Sequence, residues 1–184
     1  MLATVRLADC APQPWRNGGG LTRELLAWAP DDGPWQVRVS VADITRDGPF
    51  SAFPGVERGF AVLEGAGVRL DVDGVERRLT PDDAPLHFAG EAAPGCRLID
   101  GPTRDLNLMA PRSAGVLTMR RAAPGDVLDG RHRWRALYAA SNARLGAPAD
   151  LHLPAGTLAW SADASALPPW HLLQGAHCFW LALA

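Results

Sequence analysis

Glycine and proline set the terms on which this chain can fold. Its 184 residues hold 19 Gly and 16 Pro, spread at short intervals along the whole length. A proline removes a helical hydrogen bond, and a glycine inside a helix costs about 1 kcal/mol relative to alanine. The stretches left between them have the length of strands, so the expected fold is all-β with few short helices.

Local patterns agree. Trp35 to Val41 alternates, with Trp35, Val37, Val39 and Val41 on one side and Gln36, Arg38 and Ser40 on the other. Gly59–Leu63, Gly67–Val72 and Val75–Leu79 read as a meander whose last two strands meet at the tight turn Asp73-Gly74. Cys96–Ile99 and Leu106–Met109 add two strands around a turn-rich link, and Gly115–Met119, Trp134–Ala140 and Cys178–Leu183 continue the pattern. The later segments look like a shorter, weaker copy of the earlier ones. The division expected is a half at residues 1–110 and a shorter half at 111–184.

Apolar residues make up 47% of the chain, enough to bury a core and against disorder. All 18 basic side chains are Arg, but the net charge is −2 and no stretch concentrates them, so nucleic acid is not an expected partner. The run Arg131 to Arg135 reads as a solvated start to a strand. Three cysteines without a CxxC pair suggest buried thiols. The first residues lack the layout of a signal peptide, and no apolar run approaches the roughly 20 residues of a membrane span. A cytoplasmic protein with no membrane partner is expected.

The densest group of chemically useful residues is Pro14-Trp15-Arg16-Asn17-Gly18-Gly19-Gly20-Leu21-Thr22-Arg23-Glu24. A loop through Gly18 and Gly19 can turn successive N–H groups toward an anion, while Arg16 offers a planar fork to a carboxylate. A plain glycine turn with Arg16 and Asn17 solvated is the other reading of the same residues. The spacing is not that of a nucleotide-binding P-loop.

A second group, Asp47-Gly48-Pro49-Phe50-Ser51-Ala52-Phe53-Pro54-Gly55-Val56-Glu57-Arg58, runs into Val62-Leu63-Glu64-Gly65-Ala66-Gly67. This arrangement resembles the first conserved stretch of cupins. On that resemblance the two His and the Glu of the cupin metal site fall on Ser51, Phe53 and Arg58, and a later His falls on Ala93. Phe53 cannot coordinate and Arg58 repels a cation, so the usual metal site is expected to be absent, and no cofactor is implied. The five His are scattered without metal-type spacing.

Within the cupins the chain resembles the HutD/Ves family more narrowly, through Trp15 to Glu24, Arg38-Val39-Ser40, Asp47 to Ser51 and Gly101 to Met109, in that order. The resemblance implies a double cupin of two jelly-roll-like barrel halves, an association with histidine utilisation or stress response, and no established catalytic activity. It also suggests a small anionic ligand such as N-formyl-glutamate or urocanate.

Strand parity puts Arg38 and Ser40 on one face, and Thr103, Asp105, Asn107 and Met109 on another. Together with the resemblance this makes them candidates for the lining of a barrel. The expected binding site therefore uses Arg16, Asn17, Arg38 and Arg58 to hold oxygens, and Trp15, Phe50 and Phe53 as an apolar wall. The glycine loop at Gly18 and Gly19 and the polar groups of Ser40, Ser51, Asp105 and Asn107 complete it. The alternative is a metal-free isomerase or hydrolase with Asp105 or Glu24 as general base. A third possibility is a homodimer built on the region of Trp160, Trp170 and Trp180, although these indoles fit a core better.

Overall fold

A computed structural model describes residues 2–129, 131–146, 150–162 and 168–184. The described chain is built from strands, with only three 3-10 turns, Leu7–Asp9, Gly90–Ala92 and Arg112–Ala114, in place of helices. It divides into two units, Cys10–Ala114 and Gly115–Ala184 joined by Met1–Asp9. The division differs from the 1–110 and 111–184 halves read from sequence chiefly at the N-terminus. Ala3–Arg6 pairs antiparallel with Thr157–Ala162, and so completes the C-terminal sheet.

In the N-terminal unit a six-stranded sheet runs in the order Pro12–Pro14, Gly20–Trp28, Val37–Ile44, Thr103–Pro111, Val56–Glu64, Leu86–Ala89. A four-stranded sheet in the order Gly48–Pro49, Gly95–Leu98, Val68–Val72, Val75–Leu79 packs against it. The Asp73-Gly74 hairpin forms as the sequence predicts. Val72 pairs with Val75, and both turn residues take positive φ, 50° and 79°, which suits a tight two-residue turn.

Register decides what points inward. Ser40 faces Asn107, which faces Phe60, so even positions of Val37–Ile44 and of Val56–Glu64 share the interior with odd positions of Thr103–Pro111. Toward one end this interior is apolar, filled by Ile44, Phe60, Val62, Val68, Leu70 and Phe88. Toward the other end the same three strands present Arg38, Ser40, Arg58, Asp105 and Asn107. Val37, Val39, Val41, Leu106 and Leu108, on the opposite face of the sheet, are also buried. The alternation from Val37 to Val41 thus separates two buried faces and does not divide core from water.

The C-terminal unit repeats the two-sheet plan. Ala3–Arg6, Thr157–Ala162, Trp134–Ala139, Cys178–Leu183 and Leu117–Ala122 form one sheet, in that order. Val127–Leu128, Trp170–Gln174, Ala143–Gly146 and Leu151–Leu153 form the other. Its interior is apolar, with Trp170 and Trp180 among Leu128, Leu137, Leu145 and Leu172. Trp170 and Trp180 are buried, as a core would have them, while Trp160 is half-buried. The basic run is also corrected. Arg131 and Arg133 are exposed, but Arg135 is fully buried, with its guanidinium 4.6 Å from the Trp170 ring centre.

Candidate functional site

The polar end of the N-terminal interior opens into a cavity of about 710 Å³, within the ~300–1,000 Å³ range of small-molecule sites. Its buried cation is Arg58, only 4% exposed, which the strand Val56–Glu64 aims inward from beside Met109. Three rings surround its guanidinium, Phe88 at 5.1 Å, Phe50 at 5.2 Å and Phe53 at 5.7 Å. A cation held over aromatic faces keeps part of the favourable field it loses on leaving water.

Arg58 Nη2 donates to Asn107 Oδ1 at 2.8 Å, and Asn107 Nδ2 donates in turn to Asp105 Oδ1. Neither Arg58 Nε nor Nη1 has a partner among the described residues, and neither does Asp105 Oδ2. Burial pushes the Arg58 pKa down to about 10, against the pull of Asp105 and with a further push from Arg38. The guanidinium therefore stays charged at neutral pH. Burial also pushes the Asp105 carboxyl up to about 8; Arg58 and the Asn107 amide oppose that rise and Asp43 adds to it.

The other cations of the interior are already balanced. Arg38 lines the cavity, but its Nε donates to Glu24 Oε2 at 2.6 Å, which also occupies the second candidate base. Trp15 forms part of the wall, its Nε1 donating to Thr22 Oγ1 at 2.7 Å and its ring standing edge-on to Phe50 at 6.3 Å. Arg16, Asn17 and Ser51 line the cavity from exposed positions near its mouth, and Phe53 is half-buried.

Gly18 and Gly19 do not line the cavity, and the N–H cradle expected of them does not form. Gly18 N–H donates to the Trp15 carbonyl at 3.0 Å, and Gly19 N–H donates to Asn17 Oδ1 at 2.9 Å. The Gly19 carbonyl accepts from Thr45 N–H at 2.8 Å. The loop is a hairpin end between Pro12–Pro14 and Gly20–Trp28. At Gly20 a Cβ would lie 2.4 Å from the Asp43 carbonyl, so close approach of two strands requires glycine there.

Eleven of the thirteen site residues named from sequence line the one cavity; Gly18 and Gly19 are the exceptions. The lining also includes Gln13, Thr22, Trp35 and Met109. Alternation places Trp35 with Val37, Val39 and Val41, but the strand begins at Val37, so the period does not reach Trp35, which lines the cavity with Arg38 and Ser40. Thr103, on the face of Asp105, instead donates its hydroxyl to the Gly67 carbonyl at 3.2 Å. Of the positions matching a cupin metal site, Ser51, Phe53 and Arg58 border the cavity, while Ala93 ends a 3-10 turn at φ 40°. Among the described residues no three His, Cys, Asp or Glu side chains gather as a metal cluster.

The C-terminal unit has a depression of about 500 Å³ lined by Arg121, Leu173 and Gln174 among small residues. None of its lining residues is a buried polar group.

Two antiparallel sheets enclosing a polar-ended cavity define a cupin-fold protein. The chain shares this fold with a cupin 2 conserved barrel domain protein from Leptotrichia buccalis, at 8% identity and a TM-score of 0.58 over 99% of this chain and 96% of that one. A family model described as HutD matches residues 7–178, and the chain belongs to that family. An uncharacterized 21.2 kDa protein in the hutC 3′ region of Pseudomonas putida is 44% identical over 59% of this chain; the match spans only 57% of that relative. Protein Ves of Cronobacter sakazakii is 35% identical over 70% of this chain and 71% of its own length. The structure of HutD from Pseudomonas fluorescens SBW25, in a formate condition, superposes with a TM-score of 0.89 at 27% identity over 100% of this chain and 98% of that one.

Proposed function

We propose that the N-terminal unit binds a small anionic metabolite carrying a carboxylate, and that the protein senses or sequesters this ligand without turning it over. The observation that carries the reading is Arg58, a charged guanidinium buried with two donors unspent at the edge of a small-molecule-sized cavity. An unpaired buried charge is costly, whereas a ligand carboxylate accepting from the free Nε or Nη1 would pair it in a charge-assisted hydrogen bond. The walls of Trp15, Phe50 and Phe53 suit the carbon skeleton of such a ligand.

The hut-region relative supports a ligand from histidine utilisation, with N-formyl-glutamate and urocanate as candidates. Function in the cytoplasm and without a metal belongs to the same proposal. A thermal-shift screen of the full chain with these carboxylates tests it. Ligand at a hundred times its Kd is expected to raise stability by about 2.7 kcal/mol. A melting temperature unmoved by every carboxylate, including formate, overturns the proposal.

One observation favours a second reading, a metal-free isomerase or hydrolase: a carboxyl with its pKa near 8 beside a guanidinium has the make-up of a general acid-base pair. A product-forming assay separates the two, because a binding protein returns its ligand unchanged.

A further inference from the structure

We infer that the cavity binds a carboxylate with Asp105 protonated: the ligand serves as the counter-ion of Arg58 while Asp105 Oδ2 carries a proton, taken from solvent wherever the free protein has lost it. The inference rests on the anion-binding reading above and concerns how the same site handles charge.

The placement of charges around Asp105 carries it. Asp105 is 1% exposed, and its Oδ1 accepts from Asn107, which holds Arg58 from its other end. From the strand Val37–Ile44, Arg38 is tied to Glu24, and Asp43 is tied to Arg23 at 2.9 Å and Arg104 at 2.7 Å. Gly95–Leu98 contributes the Cys96 thiol, whose pKa burial pushes up to about 12, with Asp105 and Asp47 pushing the same way, so it stays neutral. Leu86–Ala89 contributes Phe88. One uncommitted cation, Arg58, thus faces one uncommitted carboxyl, Asp105.

With Asp105 ionised, a ligand carboxylate drawn to Arg58 would make two buried anions share one guanidinium. That leaves a net buried negative charge, which the low-dielectric interior penalises heavily. Protonating Asp105 restores neutrality. It also turns Oδ2, which has no donor to accept from, into a donor that can reach the ligand. The carboxyl is already poised for this change, since burial, outweighing Arg58 and the Asn107 amide, holds its pKa at about 8.

Calorimetry of the full chain with N-formyl-glutamate, between pH 6.5 and 9.5 and in buffers of different ionisation enthalpy, tests the inference. The ligand's own carboxylates stay ionised throughout, so any proton taken up belongs to the protein. Affinity is expected to hold up to about pH 8, then fall about tenfold per pH unit, with about one proton absorbed per ligand at pH 9. Asp105→Asn should bind at pH 6.5 within a fewfold of the native protein, lose the pH dependence and absorb no proton. The comparison of the two proteins is made up to pH 9, because Arg58 has its pKa near 10 and Asp105 itself helps to raise it.

Binding that is equally tight at pH 6.5 and 9.5 with no proton uptake overturns this inference and leaves anion binding standing. So does an unchanged pH dependence in Asp105→Asn. Failure of N-formyl-glutamate, urocanate and formate alike to bind at any pH overturns the anion-binding reading and this inference with it. Should Asp105→Asn fail to fold, the proton uptake of the native protein decides alone.

Discussion

The two units use buried arginine in opposite ways. In the C-terminal unit Arg135 stacks on Trp170 and donates through Nη1 and Nη2 to the carbonyls of Leu128, Asp129 and Pro168, so its charge holds the protein's own backbone together. In the N-terminal unit Arg58 stacks on three phenylalanines but spends only Nη2, on Asn107. The same two-sheet frame thus carries an interior closed by indoles in one case and a charged, partly open interior in the other. What separates a structural arginine from a binding one here is the supply of acceptors around it, since both are buried.

The largest effect that could break this contrast lies in the C-terminal unit. Trp170→Ala removes a fully buried indole and the ring under Arg135. A loss of about 3–5 kcal/mol is expected in urea denaturation, as for other large-to-small core changes. A loss well under 1 kcal/mol would show that the indoles do not hold that interior together.

Arg58→Met should do the reverse. Carboxylate affinity measured by calorimetry should drop by roughly 2–5 kcal/mol, the scale of losing a buried charge contact. Folding stability should change little or rise, because a buried charge gives way to an apolar chain of similar length. A strongly destabilised protein would make Arg58 a structural residue like Arg135.

Asp105 sharpens the contrast through pH. The native state keeps its proton up to about pH 8, whereas an unfolded Asp releases it near pH 4. Between these values the native state binds more protons, so stability should fall as pH rises across that window and level off above it. In Asp105→Asn this component should vanish, for a gain on the order of 1–3 kcal/mol at pH 8. Thermal melts of both proteins from pH 4 to 9 provide the check.

The smallest effect is expected at the mouth. Arg16 is exposed, and Arg16→Ala should weaken carboxylate binding by no more than about 1 kcal/mol, the range for exposed charges. An Arg16 effect equal to that of Arg58 would move the site from the cavity floor to the glycine loop.

How far the sequence carried these conclusions varied with the range of the interactions. The strand from Val37 and the Asp73-Gly74 hairpin were legible because alternation and turn chemistry are local. Arg58 stood out only through the resemblance, at a position where a ligand carboxylate was expected. The glycine loop misled because composition shows that a backbone can approach an anion, and not whether its N–H groups are already taken. Here Trp15 and the Asn17 side chain claim those of Gly18 and Gly19. Ala3–Arg6 misled for another reason: its partner strand lies more than 150 residues along the chain, at Thr157–Ala162, beyond any local period.

A crystal structure grown with N-formyl-glutamate tests the central claim most directly. The expected result is one carboxylate in the N-terminal cavity with an oxygen about 2.7–2.9 Å from Arg58 Nε or Nη1, and the remaining atoms against Trp15, Phe50 and Phe53. A ligand held at Arg16 and the glycine loop with Arg58 untouched, or bound in the C-terminal unit, would contradict it.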